Sequence, residues 1–116
     1  MWITSLLTLS ALALRCLAAK ATADSFQEIY AKTASQFPLD LDVRGFDKLV
    51  TASRNYSVAV LLTAMETRFG CTLCRDMQPE WDLLGQSWYK GDKAGASRVL
   101  FGTVDFANGQ DIFKRV

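Results

Sequence analysis

Cys71 and Cys74 are separated only by Thr72 and Leu73, and the chain changes periodicity across them. Before the pair, Val58-Ala59-Val60-Leu61-Leu62-Thr63-Ala64 is a continuous apolar run. Its length and character suit a strand buried on both faces of a parallel sheet. After the pair, Leu73, Met77, Trp81, Leu84 and Trp88 recur in steps of four, four, three and four. That spacing draws one stripe along a long helix. Glu66-Thr67-Arg68-Phe69-Gly70 forms the intervening loop. A buried strand that hands a cysteine pair to the start of a helix restricts the chain to a small set of α/β folds.

The flanking segments agree with that class. Phe26, Ile29, Tyr30, Thr33 and Phe37 mark an amphipathic helix that Pro38 ends. Leu39 to Val43 alternates apolar and charged residues, as in a short half-exposed strand. Gly45 punctuates it, and Phe46, Leu49 and Val50 give a helical face of about two turns. Pro79 falls inside the long helix, where its ring and missing N–H predict a kink. A polar, glycine-containing linker follows at 90–98, and Val99 to Phe106 reads as another apolar strand. Asn108-Gly109 is expected to turn the chain into a last helix from Gln110 to Val116. Helices alternating with strands predict parallel pairing with right-handed crossovers.

The cysteine pair has the form that thiol–disulfide exchange needs: one thiolate to attack and a second thiol to resolve the mixed disulfide. At a helix N-terminus the orphan N–H groups and the helix dipole favour negative charge. Cys71 is therefore expected to have a thiol pKa below the free value of about 8.5 and to act as the nucleophile, with Cys74 as resolver. Other readings stay open. A structural zinc site needs about four Cys or His ligands, so zinc would require a second chain. A static disulfide would close almost no loop and add little entropic stability. Two unpaired cysteines could also simply be packed. Glu66 could relay a proton to Cys74, and Arg75 could stabilise a thiolate, but solvated charges are the ordinary state of both.

Composition narrows the chemistry further. The 116 residues suit one domain and contain no histidine, which excludes His-dependent triads, His-ligated metals and imidazole bases. A net charge of +1 gives no electrostatic case for nucleic acid. No cofactor and no metal are expected. Gly91 and Gly95 lack the lysine and Ser/Thr order of a phosphate loop. Residues 1–23 read as a signal peptide: Trp2 to Leu14 is almost wholly apolar or small, and small residues allow cleavage after Ala19, Ala21 or Ala23. Removal would take Cys16 and leave Cys71 and Cys74 in an oxidising compartment. Asn55-Tyr56-Ser57 fits the glycan acceptor pattern.

Taken together, Arg54-Asn55-Tyr56-Ser57, the Val58–Ala64 run, Phe69-Gly70-Cys71-Thr72-Leu73-Cys74, Pro79-Glu80-Trp81, Ser87-Trp88 and Val104-Asp105-Phe106 resemble the luminal domain of the oligosaccharyltransferase gamma subunit family. The resemblance runs from about Leu39 to Val116 and implies a thioredoxin-like fold over 24–116. It implies residence in the endoplasmic reticulum lumen and a place in the complex that transfers oligosaccharide to asparagine. It carries Cys71 and Cys74 onto the family's redox pair, which is held to form transient mixed disulfides with nascent cysteine-containing polypeptides. The transfer chemistry belongs to another subunit. Leu73 stands where oxidising isomerases place histidine, so a more reducing poise is expected unless Arg68 or Arg75 offsets it.

The chain departs from the family in stopping at Val116. The cis-proline strand and closing helix of the thioredoxin fold are missing, as are the family's membrane helices, so an incomplete domain is expected. Neither Pro38 nor Pro79 is placed for the cis-proline role. The strand Val99 to Phe106 is expected to present an unpaired edge. The competing functions are a subunit that captures client cysteines, a free luminal oxidoreductase, and a peptide-binding module with a permanent disulfide.

Overall fold

The computed structural model describes residues 25–116. The expected signal peptide and Cys16 lie outside the described residues. Helix α1 (Ser25–Thr33) presents Phe26 and Tyr30 to the core and continues as a 3-10 turn over Ala34–Gln36. Strand β1 is short, Leu39–Asp40, although Leu41 N–H still donates to the Thr103 carbonyl at 2.8 Å. The expected strand to Val43 is cut short by Asp42. Its carboxylate accepts from Gly45 N–H at 2.7 Å and caps helix α2 (Val43–Phe46), which runs into a wider turn over Asp47–Thr51. An aspartate in that position draws the chain into a helix because it satisfies an otherwise orphaned donor.

Strand β2 (Ser57–Thr63), helix α3 (Thr72–Gly91), strand β3 (Val99–Asp105) and helix α4 (Phe106–Arg115) complete the chain. The three strands are parallel in the order β1-β3-β2. Ser57 pairs with Val99 and Thr63 with Asp105, so β2 and β3 run in full register. This is the α/β arrangement of a partial thioredoxin-like fold.

The order corrects one expectation. The last strand, β3, is central and not an unpaired edge, because β1 and β2 flank it. It is also the more deeply buried: Leu100, Phe101, Gly102, Thr103 and Val104 are all buried. Among the described residues the edge strands are β1 and β2, and residues Val58 to Leu62 of β2 are only half-buried, not buried on both faces. An apolar run reports that a strand is covered but not from how many sides, since pairing partners are distant in sequence.

The two faces of β3 divide the core. Phe101 packs against Trp81 and Trp88 of α3 at ring-centroid distances of 5.6 and 5.3 Å, and against Phe37 at 5.7 Å. Trp81 Nε1–H donates to Thr103 Oγ1 at 3.0 Å on the same face. Val104, on the opposite face, meets Gly109 and lies in a core that includes Ile112 of α4. Helix α4 begins at Phe106 rather than Gln110, because Asp105 caps it by accepting from Ala107 N–H at 3.0 Å. Gly109 still departs from helical dihedrals, so the expected turn survives as an irregularity inside the helix. The Phe37–Pro38 peptide is cis. Pro38 packs on Gly85, about three turns along α3 from Cys74, and so does not face the cysteine pair.

Candidate functional site

The pair sits at the C-terminal end of the sheet, where open α/β folds place their sites. Strand β2 ends at Thr63, the chain crosses residues 64–70, and Cys71 becomes the N-cap of α3. The approach is shaped locally. Thr67–Phe69 form a 3-10 turn, and Gly70 takes the left-handed conformation at φ 63°, which suits a residue without a Cβ. That reversal turns the chain into the first helical turn.

Cys71 and Cys74 form a disulfide with a Cα separation of 5.3 Å. Cys74 N–H donates to Cys71 Sγ at 3.1 Å. In the disulfide this sulfur is a weak acceptor. In a dithiol the same N–H faces a sulfur able to hold negative charge, and the helix dipole favours that charge. Both cysteines are half-buried, so exposure does not separate an outer nucleophile from a deeper resolver. The hydrogen bond treats the two sulfurs differently, because it is aimed at Cys71.

The other candidates fall to their ordinary roles. The Glu66 carboxylate binds Arg68 Nε at 2.6 Å and remains well exposed. The Arg68 guanidinium also lies 4.7 Å from the Phe69 ring centroid. Arg75 is exposed on the helix surface. Asn55 is exposed just before β2, about 20 Å of strand away from the pair. Among the described residues no three His, Cys, Asp or Glu side chains gather into a metal site.

The helical stripe is divided. Trp81 and Trp88 reach the core, whereas Leu73, Met77 and Leu84 are 66%, 45% and 46% exposed. Periodicity identified a helix face but not what covers it. Three residues of the surroundings were missed. Asp105 accepts from Met65 N–H in the loop before Cys71 at 3.3 Å, and Phe69 packs edge-on against Phe106 at 5.1 Å. The only local sequence signal for them was an aspartate directly before a helical segment, which reads as a cap and reveals nothing of the loop.

Known proteins share this arrangement of sequence. Residues 24–116 match the OST3 / OST6 family, a transporter family. The dolichyl-diphosphooligosaccharide–protein glycosyltransferase subunit MAGT1 of Danio rerio is 40% identical over 70 residues, 60% of this chain and 21% of that protein. The protein of the same name in Homo sapiens is 39% identical over 70 residues with the same coverage. That of Xenopus laevis is 38% identical over 61 residues, 53% of this chain and 18% of its own length. The chain thus spans about a fifth of the length of the curated relatives it matches. A match that takes in every described residue is decisive: the chain belongs to the OST3/OST6 family.

Proposed function

We propose that the chain is the thioredoxin-like portion, 24–116, of an oligosaccharyltransferase subunit, directed to the endoplasmic reticulum lumen by residues 1–23. Its Cys71–Cys74 pair captures cysteines of nascent polypeptides while nearby asparagines are glycosylated. The observation that carries this reading is the Cys74 N–H aimed at Cys71 Sγ at a helix N-terminus, in a chain of this family. Other subunits of the transferase are its partners, and the glycosyl transfer itself lies elsewhere.

In this reading a client thiolate attacks Cys71 Sγ. A client–Cys71 disulfide forms, and the Cys71–Cys74 bond breaks. Cys74 leaves as a thiolate and takes up a proton from solvent. Release reverses the step: Cys74 loses its proton, attacks Cys71 Sγ and expels the client thiolate. No electrons are gained or lost over the cycle, so capture needs no further oxidant.

The test is the reduction potential of the pair, read by thiol trapping in a glutathione titration. A reversible value in the luminal range, about −180 to −210 mV, or modestly below it, is expected. A value below about −300 mV, typical of structural disulfides, would close the pair permanently and end the capture reading. The absence of a histidine beside Cys74, together with the pairing of Arg68 to Glu66, favours the lower part of the exchanging range.

A further inference from the structure

The loop that delivers Cys71 is held by a different element from the helix that Cys71 caps. Asp105 ends β3, and its two carboxylate oxygens serve two segments. Oδ1 accepts from Ala107 N–H in the first turn of α4, and Oδ2 accepts from Met65 N–H just after β2. Two residues before Cys71, Phe69 meets Phe106 edge-on at 5.1 Å with an interplanar angle of 85°. Phe106 in turn meets Phe113 edge-on at 5.2 Å. Arg68, bound to Glu66, covers the outer face of Phe69 at 4.7 Å. The loop is therefore fastened at both ends to the β3–α4 junction. Gly70, with nothing within 4 Å of where its Cβ would stand, is the uncrowded joint between the fastened part and Cys71.

We propose that this junction, through Asp105, Phe106 and Phe69, positions Cys71 for ring closure with Cys74. The inference rests on the exchange reading above. While the disulfide is intact, the covalent bond itself restrains Cys71. Once a client is attached, that restraint is gone. Cys71 is then held near Cys74 by the loop anchor on one side and by the first turn of its own helix, with the Cys74 N–H bond, on the other. Ring closure is the attack of the Cys74 thiolate on Cys71 Sγ with loss of the client thiolate. Its rate depends on how much of the time the two sulfurs stand in line. Loosening the anchor spreads Cys71 over more positions and slows closure. It also favours the dithiol over the disulfide, because more freedom is lost when the ring forms. Asp105, Phe106 and Phe69 touch no reacting atom and are positioning residues.

The experiment compares the full chain with its Phe69→Ala, Phe69→Tyr and Asp105→Asn variants. Each is equilibrated with reduced and oxidised glutathione, in which two glutathione thiols reduce the pair and leave as glutathione disulfide. The fraction oxidised and the lifetime of the glutathione–Cys71 mixed disulfide are read by thiol trapping, and thermal melting checks the fold. One aromatic edge contact supports an expected shift of about three- to tenfold toward the dithiol in Phe69→Ala. The mixed disulfide should live longer by a similar factor, and Phe69→Tyr should restore both values. Asp105→Asn keeps one acceptor oxygen for α4 and loses the one facing Met65, so it should move both readouts in the same direction. It also serves where Phe69→Ala melts early. Parent values within twofold in folded Phe69→Ala and Asp105→Asn chains would overturn the positioning role and leave exchange standing. A parent chain that fails to exchange with glutathione would overturn both readings.

Discussion

The two halves of α3 lead different lives. From Trp81 to Trp88 the helix is a core element: both tryptophans lie on Phe101, Trp81 bonds to Thr103, and Gly85 lies against Pro38. From Thr72 to Glu80 most of it is surface, with Leu73 and Met77 left uncovered and the disulfide at its tip. One element thus joins a fixed base to a reactive end. The contrast implies that a bond at the tip can open and close with little change to the packing that holds the domain together. If so, changes at the base should alter stability and leave exchange alone, and changes at the tip should leave stability alone.

The sharpest way to break this division is Gly85→Ala. A Cβ at residue 85 would stand 2.8 to 2.9 Å from the ring and nitrogen of Pro38, too close for either to remain in place. Overpacking of this kind costs about 1–3 kcal/mol. Alanine recovers ~1 kcal/mol over glycine in a helix interior. A net loss of up to about 2 kcal/mol is expected, visible as a fall of several degrees in Tm at the upper end. The glutathione equilibrium of Cys71–Cys74 should stay within about twofold of the parent, since one kcal/mol carried to the tip would already move it about fivefold. A stabilised Gly85→Ala chain would show that the base is looser than its contacts indicate. An altered equilibrium would show that the halves are coupled.

Acid probes the far end of the same helix. Asp92, just past α3, folds the 92–98 loop around its carboxylate, which accepts from Ala96 N–H at 2.9 Å and Ser97 N–H at 3.0 Å. Tyr30 O–H donates to the Asp92 carbonyl and ties the loop to α1. The Ser97 N–H holds the Asp92 carboxyl below its ordinary value of 3.8, against the opposing effect of burial, with Ala96 N–H adding to it. A folded pKa below the unfolded one gives stability that is complete above the ordinary value and is lost as pH falls through the folded value. Melting temperature should therefore decline as pH is lowered from about 5 to about 2, and less steeply in Asp92→Asn. Asp47, lowered first by its hydrogen bond to Arg115, contributes in the same direction and leaves part of the slope in that variant. Equal slopes in the parent and Asp92→Asn would remove Asp92 from this account.

The sequence made the reactive end legible because its signals are local. The cysteine spacing, the apolar run before it and the helical stripe after it all lie within about thirty residues and follow backbone periods. The base was legible in outline only. Nothing local states that β3 pairs on both sides while β2, among the described residues, pairs on one, since strand order is decided by contacts 42 and 63 residues apart in the chain. Gly85 reads as a weak point in a helix until Pro38 is found against it. Asp105 reads as a cap, because its second hydrogen bond reaches back to Met65. Leu73, Met77 and Leu84 belong to the same stripe as Trp81 and Trp88, and only the position of Phe101 decides which of them are covered.

The smallest expected effect is the most telling about the tip. Leu73 lies between the two cysteines and is 66% exposed, so Leu73→Ser removes little buried area. Surface changes of this sort stay within about 0.5 kcal/mol, and the helix propensities of the two residues differ by only a few tenths. Tm should be almost unmoved. The Cys74 N–H to Cys71 Sγ bond involves neither side chain of the Thr72-Leu73 insert, so the glutathione equilibrium should also stay within about twofold. A stability loss above about 1 kcal/mol would mean that Leu73 is packed in solution, and the tip would then be part of the base. A shifted equilibrium at unchanged Tm would instead place the control of the pair in the residues between the cysteines rather than in the loop anchor that precedes them.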